Sequence, residues 1–287
     1  MKLATFVHDG VEQPGVVVGD RILPTGDTSL LALIQGGPAA LDAVRKLAQS
    51  SRPADGHLLK DVSLRAPIPA PVRNVFCVGR NYRLHIEEGA RARGVEPSYP
   101  EMPELFTKAT HAVCGPGDTV QLPAITRKLD YEVELAFVIG KAGRDIKAQD
   151  AGEHILGYTV LNDVTARDLQ RSHGQWFKGK SLDTTCPTGP WIVTADEFDI
   201  GRDHRIWLSV NGELRQDSLT TDMVFDCAAI LESLSAGLTV EPGDIITTGT
   251  PSGVGLGLEP QIWLKDGDVM EAGIDGIGTI TNTIRAV

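Results

Sequence analysis

No run of about 18 apolar residues occurs anywhere in the chain, which excludes a transmembrane helix by the usual length criterion. The opening stretch, Met1-Lys2-Leu3-Ala4-Thr5-Phe6, reaches charged and glycine-containing sequence too soon for a signal peptide. Cysteine is sparse: Cys77, Cys114, Cys186 and Cys227 are widely spaced and form no Cys-x-x-Cys pair. That pattern argues against a disulfide framework and suits small, reduced core thiols in a cytoplasmic protein. Positive charge is also short. Against 38 Asp and Glu stand only 27 Lys and Arg, a net charge of −11, so neither nucleic acid nor an anionic membrane is expected as a main partner. A small acidic ligand stays open, because one local metal or lysine suffices to bind it. There is no internal repeat and no low-complexity tail. What remains is an ordinary globular composition, long enough for one large domain or a small one and a larger one.

Residues 1–70 read as a small α/β unit. Short strands are expected over 1–6, 13–18 and 20–23, and helices over 29–34 and 39–50. The stretch Arg65-Ala66-Pro67-Ile68-Pro69-Ala70-Pro71 is stiff and extended, as a linker would be. No cluster of metal-ligating or nucleophile-and-base residues precedes it, so 1–70 is expected to be an accessory domain and 71–287 the catalytic one. The latter carries strand patterns at 72–78, 105–108, 119–122, 131–139, 157–165, 189–193, 205–210, 244–248 and 277–285, and helical patterns at 82–93, 148–154 and 222–234. This is a β-rich α+β pattern without regular βα alternation.

The densest chemical signal is Asp130-Tyr131-Glu132-Val133-Glu134-Leu135-Ala136-Phe137-Val138-Ile139. Period-two alternation puts Tyr131, Val133, Leu135, Phe137 and Ile139 on one face and three acids, Asp130, Glu132 and Glu134, on the other. Same-face neighbours on a strand lie roughly 7 Å apart, so Glu132 and Glu134 reach one common point. Two readings stand: a wet acidic face of a half-exposed strand, or a site for a hard divalent cation, which takes oxygen ligands. Asp163, in Leu161-Asn162-Asp163-Val164, is either a cap closing its strand or a third oxygen donor to the same site.

Three further segments join these acids. Lys180, in Lys178-Gly179-Lys180-Ser181, is a solvated lysine or an anion-binding one; a phosphate-loop reading of this triplet is not adopted. His85 and Glu88 lie three apart on one helical face, where a carboxylate fixes the imidazole tautomer and raises its basicity, as a water-activating base requires. The loop Gly249-Thr250-Pro251-Ser252-Gly253-Val254-Gly255-Leu256-Gly257 suits backbone amides approaching an anion. His111 and His173 have no such partner.

Taken together, Val78-Gly79-Arg80-Asn81-Tyr82, Asp130–Leu135, Asn162-Asp163-Val164-Thr165-Ala166-Arg167-Asp168-Leu169-Gln170, Gly179–Thr184 and Gly249–Gly255 resemble the fumarylacetoacetate hydrolase family, in the family's order, over residues 72–287. The resemblance implies a mixed β-sandwich roll, a homodimer, and an active site at the mouth of the roll. It implies a divalent metal, Mg²⁺ with Mn²⁺ or Ca²⁺ as substitutes, on Glu132, Glu134 and Asp163. Lys180 would stabilise an oxyanion, and His85 and Glu88 would orient a hydrolytic water. Arg80, Lys108, Gln170 and Thr250 would contact the substrate, and 89–103 would be the variable lid. The implied activity is hydrolysis of a C–C bond in a 2,4-dioxo acid of the acylpyruvate type. The alternative is oxaloacetate decarboxylation or isomerisation of an oxo-diacid at the same metal site. Arg83, Arg91, Arg93, Arg171 and His173 are candidates to face a second carboxylate or a hydroxyl group of the substrate, but the sequence places none of them.

Overall fold

The computed structural model describes residues 1–52 and 54–287. Two sheets dominate. The main path of the twelve-stranded sheet runs His57–Leu58, Arg21–Pro24, Val11–Val18, Lys2–His8, Cys186–Thr194, Ile155–Asn162, Val133–Ile139, Ile245–Thr247, Val75–Gly79 and Glu104–Lys108. Its pairings are antiparallel except that of Ile245–Thr247 with Val75–Gly79. The five-stranded sheet runs Glu213–Leu219, Arg205–Val210, Val269–Ile274, Gly278–Ala286 and Thr119–Leu122, its last pair parallel. The result is the mixed, β-rich α+β fold that the strand and helix patterns imply.

Val133–Ile139 is central to this packing. Its Val133, Leu135, Phe137 and Ile139 pack in one cluster with Ile206, Leu208, Met270, Ala272 and Ile280 of the second sheet. On the other face, Ala136 and Val138 share a cluster with Leu3, Leu30, Ile34 and Val44 from the start of the chain. The N-terminal strands continue the same sheet, with Lys2 opposite Val193 and Leu3 opposite Ile192. A strand covered on both sides leaves no wet stripe. Glu132 and Glu134 are accordingly 3% and 1% exposed, which rules out the solvated-face reading of the acidic residues.

Most strands lie within a few residues of their expected bounds, but three differences bear on the site or on sheet order. The 157–165 pattern ends as a strand at Asn162 and resumes as Thr165–Ala166, paired with Leu129–Asp130. That break frees Asp163 from the ladder. Residues Ala148–Glu153 form a 3₁₀ helix rather than an α-helix. Strands Glu213–Leu219 and Val269–Ile274 were not anticipated. The former is an edge strand with a largely polar sequence, which hides its alternation. Its turn, Asn211-Gly212, takes positive φ at both residues (54° and 78°), the geometry of a tight hairpin.

The helix Arg83–Arg93 turns Ile86, Glu88 and Ala90 inward. It stops at Gly94, whose left-handed φ of 66° lets its amide bond back to the Arg91 carbonyl at 3.0 Å.

Candidate active site

Register brings the three acids together. Val133 lies opposite Asn162, so Glu132 and Asp163 sit side by side where the two strands end. The Asp163 amide donates to the Glu132 carbonyl at 2.8 Å, and the Glu132 amide donates to the Asn162 side chain at 2.9 Å. Glu134 follows two residues on, pointing the same way as Glu132. One oxygen from each of Glu132, Glu134 and Asp163 lies within 4.8 Å of the others, and all three residues are buried.

Buried carboxylates need compensation, and cations provide most of it. The Lys180 ammonium bridges Glu132 and Asp163, the latter at 2.7 Å. Arg167 donates to Asp130 at 2.9 Å and also to Glu132. Lys108 donates to Asp163 at 2.7 Å and to the Val164 carbonyl at 3.1 Å. Burial works to raise the Glu132 carboxyl, but Arg167 and then Lys180 outweigh it and hold the group at about 2. The same two carboxylates, Asp163 and Glu132, hold the buried Lys180 ammonium protonated against its desolvation.

Glu134 is the exception. It forms no ion pair among the described residues, and the Gly249 amide donates to it at 3.0 Å. Burial, reinforced by Asp163 and Glu132, pushes its carboxyl well above the usual carboxylate range. Four buried carboxylates, counting Asp130, thus meet three cations. An all-oxygen donor set with one acid left uncompensated fits a hard divalent cation such as Mg²⁺.

The glycine-rich loop approaches anions, as its composition implies, but the anions are the protein's own. Its amides bind Glu134 through Gly249, Glu88 through Gly253 at 2.9 Å, and Asp130 through Gly255 at 2.7 Å and Leu256 at 3.1 Å. At Gly257 a Cβ would fall 2.1 Å from Cδ of Glu88, so any side chain there would displace that carboxylate. Residues Gly174 to Ser181 do match the Gly-x4-Gly-Lys-Ser spacing of a phosphate loop. Context excludes that role: the segment follows helix Arg167–Ser172 rather than a strand.

Glu132, Glu134, Arg167 and Lys180 form the floor of a cavity of about 420 Å³, while Asp163, fully buried, does not line it. Glu132, Glu134 and Lys180 line it together with Arg80, His85, Glu88, Gln170 and Thr250. His85 Nδ1 lies 3.3 Å from Glu88, the pairing their spacing implies. Arg80 is tied to Glu104 at 2.7 Å and to the Ser98 carbonyl at 3.0 Å. Gln170 accepts from Arg167 at 3.3 Å, and the Thr250 hydroxyl donates to the Val133 carbonyl at 2.9 Å.

Lys108, named from the sequence as a substrate contact, does not line the cavity. It is fully buried and props Asp163 from behind. Three contributors take roles that the sequence reading did not assign them. Arg167 joins two acids, Asp130 anchors the loop, and Trp176 closes one wall against Phe106 with ring centroids 5.3 Å apart. Arg167 and Asp130 both fall inside the quoted motifs, so an unpaired count of acids against bases there was the available signal.

Comparison with known proteins agrees with this geometry. The family model described as "Fumarylacetoacetate (FAA) hydrolase C-terminal" matches residues 74–285. Oxaloacetate tautomerase YisK of Bacillus subtilis (strain 168) is 45% identical over 269 residues, covering 91% of this chain and 88% of that protein. The solved fumarylacetoacetate hydrolase of Exiguobacterium antarcticum superposes with a TM-score of 0.85 at 43% identity, each chain covered in full. The 5-carboxymethyl-2-hydroxymuconate delta-isomerase of Mycobacterium smegmatis does so with a TM-score of 0.80 at 36% identity, again over both full chains. On sequence, fold and carboxylate cluster alike, the chain belongs to the fumarylacetoacetate hydrolase family.

Proposed function

We propose that the chain catalyses keto–enol tautomerisation of oxaloacetate or a closely related 2-oxo diacid, with Mg²⁺ held by Glu132, Glu134 and Asp163, in a homodimer. The observation that carries the reading is three buried carboxylates within 4.8 Å of one another, two of which, Glu132 and Glu134, line a cavity that His85 also lines. A divalent ion held by Glu132, Glu134 and Asp163 would supply Lewis acidity to a bound 2-oxo acid. The residues of the chain do the rest. His85 has Nδ1 engaged by Glu88, which leaves its other ring nitrogen to take a proton from carbon 3 and return one there. Lys180, kept protonated by its two carboxylates, stabilises negative charge on the oxo oxygen. The reaction is balanced without co-reactant: one proton leaves carbon and one arrives on oxygen, or the reverse.

The likeness to an oxaloacetate tautomerase at 45% identity, and to an isomerase of the same fold, supports this choice over the C–C hydrolysis expected first. A second reading keeps that hydrolysis, because the His85–Glu88 pair is also suited to activating a water. The two are separated by assaying enol-oxaloacetate decay, through the ultraviolet absorbance of the enol, beside acylpyruvate cleavage, both with Mg²⁺. Fast, Glu134-dependent decay of the enol is expected. Acylpyruvate cleavage without any acceleration of the enol decay would overturn the proposal in favour of the second reading.

A further inference from the structure

The charges lining the cavity are not all accounted for by the floor. Arg80 is neutralised by Glu104, Arg167 by Asp130 and Glu132, and Lys180 by Glu132 and Asp163. Two lining arginines differ. Arg93, in the last turn of the helix Arg83–Arg93, and Arg171, on the helix Arg167–Ser172, are both exposed and both line the cavity. Neither has a carboxylate or hydrogen-bond partner among the described residues. Arg93 folds back along its helix, so that a Cβ at Gly89 would lie 4.0 Å from its guanidinium. Arg171 follows Gln170, which lines the same wall. Of the five residues that the sequence offers for a second anionic group, the cavity wall takes in only these two.

An unpaired guanidinium offers a planar fork that matches a carboxylate. Two of them bordering one cavity, in a chain of net charge −11, form a local inversion of sign. The buried floor provides for the 2-oxo-carboxylate end of a ligand. The rim has no work to do for a monoacid with an apolar tail.

We infer that Arg93 and Arg171 bind the distal carboxylate of the substrate and so select 2-oxo dicarboxylates over 2-oxo monocarboxylates. This rests on the 2-oxo-acid reading proposed above and assigns residues to the selectivity it leaves open. An acylpyruvate with an apolar acyl group gains nothing from these arginines.

The test is calorimetric binding to the Mg²⁺-loaded protein of 2-oxoadipate and 2-oxohexanoate, six-carbon ligands that differ only in the distal carboxylate. Wild type is expected to prefer the diacid by about tenfold or more. Arg171→Gln and Arg93→Gln should each lower diacid affinity about three- to tenfold, as expected for partly exposed charge-assisted contacts. Both should leave 2-oxohexanoate binding intact, which also certifies the fold. Arg171→Lys should restore part of the loss. A preference that survives in the double variant, or is absent from wild type, overturns the inference, as does an equal loss for both ligands. A wild type that shows the arginine-dependent preference yet leaves enol-oxaloacetate untouched upholds the inference and refutes only the tautomerase reading.

Discussion

Arg167→Met isolates the electrostatics of the floor, because methionine keeps much of the apolar stem and removes the charge. The guanidinium is 4% exposed with its residue and serves two buried carboxylates at once, Asp130 at 2.9 Å and Glu132. The magnitude follows by two routes. Glu132 is moved from an ordinary 4.5 to about 2, with Arg167 the larger of the two cationic causes after opposing burial. At 1.36 kcal/mol per unit that is about 3 kcal/mol net, what remains after Arg167 and Lys180 overcome the cost of burial. Removing one partner of a buried pair typically costs about 3–5 kcal/mol, and here Asp130 loses its partner as well.

A loss of about 3 kcal/mol is therefore expected at neutral pH. The sign with pH is set by a depressed carboxyl. Its contribution is complete above 4.5 and is lost as pH falls toward about 2. The gap between wild type and variant should thus narrow through that window. The assay is urea denaturation of chelator-treated wild type and variant at neutral pH and near pH 4. A loss below about 1 kcal/mol, or one that does not change with pH, would refute the reasoning.

Other outcomes follow from the same geometry. Mg²⁺ should raise the melting temperature of chelated protein more at about pH 8 than at about pH 5.5. Glu134, whose carboxyl is raised, must lose its proton to act as a ligand; equal shifts at the two values would contradict this. His85→Ala should lower kcat by about 10²–10⁴-fold while calorimetry shows Mg²⁺ binding unchanged. Gly257→Ala should disturb Glu88, whose Cδ a Cβ would approach to 2.1 Å, and lower turnover with little change in Mg²⁺ affinity. Phe137→Ala, at the centre of the inter-sheet cluster, should cost about 3–5 kcal/mol in denaturant unfolding without altering the site's metal specificity.

The carboxylate pair was legible because period two is rigid: an extended 131–139 puts Glu132 and Glu134 on one face. The strand itself begins at Val133, and Glu132 immediately before it still joins the cluster. Asp163 was legible only in company with them, since its own segment reads equally well as a cap. That neither side of the strand meets water was not readable. That depends on the N-terminal strands and helices covering the second face, contacts far away in the chain. Lys108 shows the same limit. A lysine at the end of a strand is found by pattern, but whether it faces the cavity or supports Asp163 from behind is set by packing. The glycine-rich loop announced anion binding without saying whose anions, and Glu88, Asp130 and Glu134 proved to be the recipients. The Glu213–Leu219 strand was hidden because an edge strand need not bury alternate residues.

The central claim, that Glu132, Glu134 and Asp163 hold one divalent ion, is tested most directly by anomalous diffraction from crystals soaked in Mn²⁺. One peak is predicted, with an oxygen of each of the three carboxylates at a bonding distance of roughly 2.0–2.3 Å. A peak bound elsewhere, or none at saturating Mn²⁺, would contradict it.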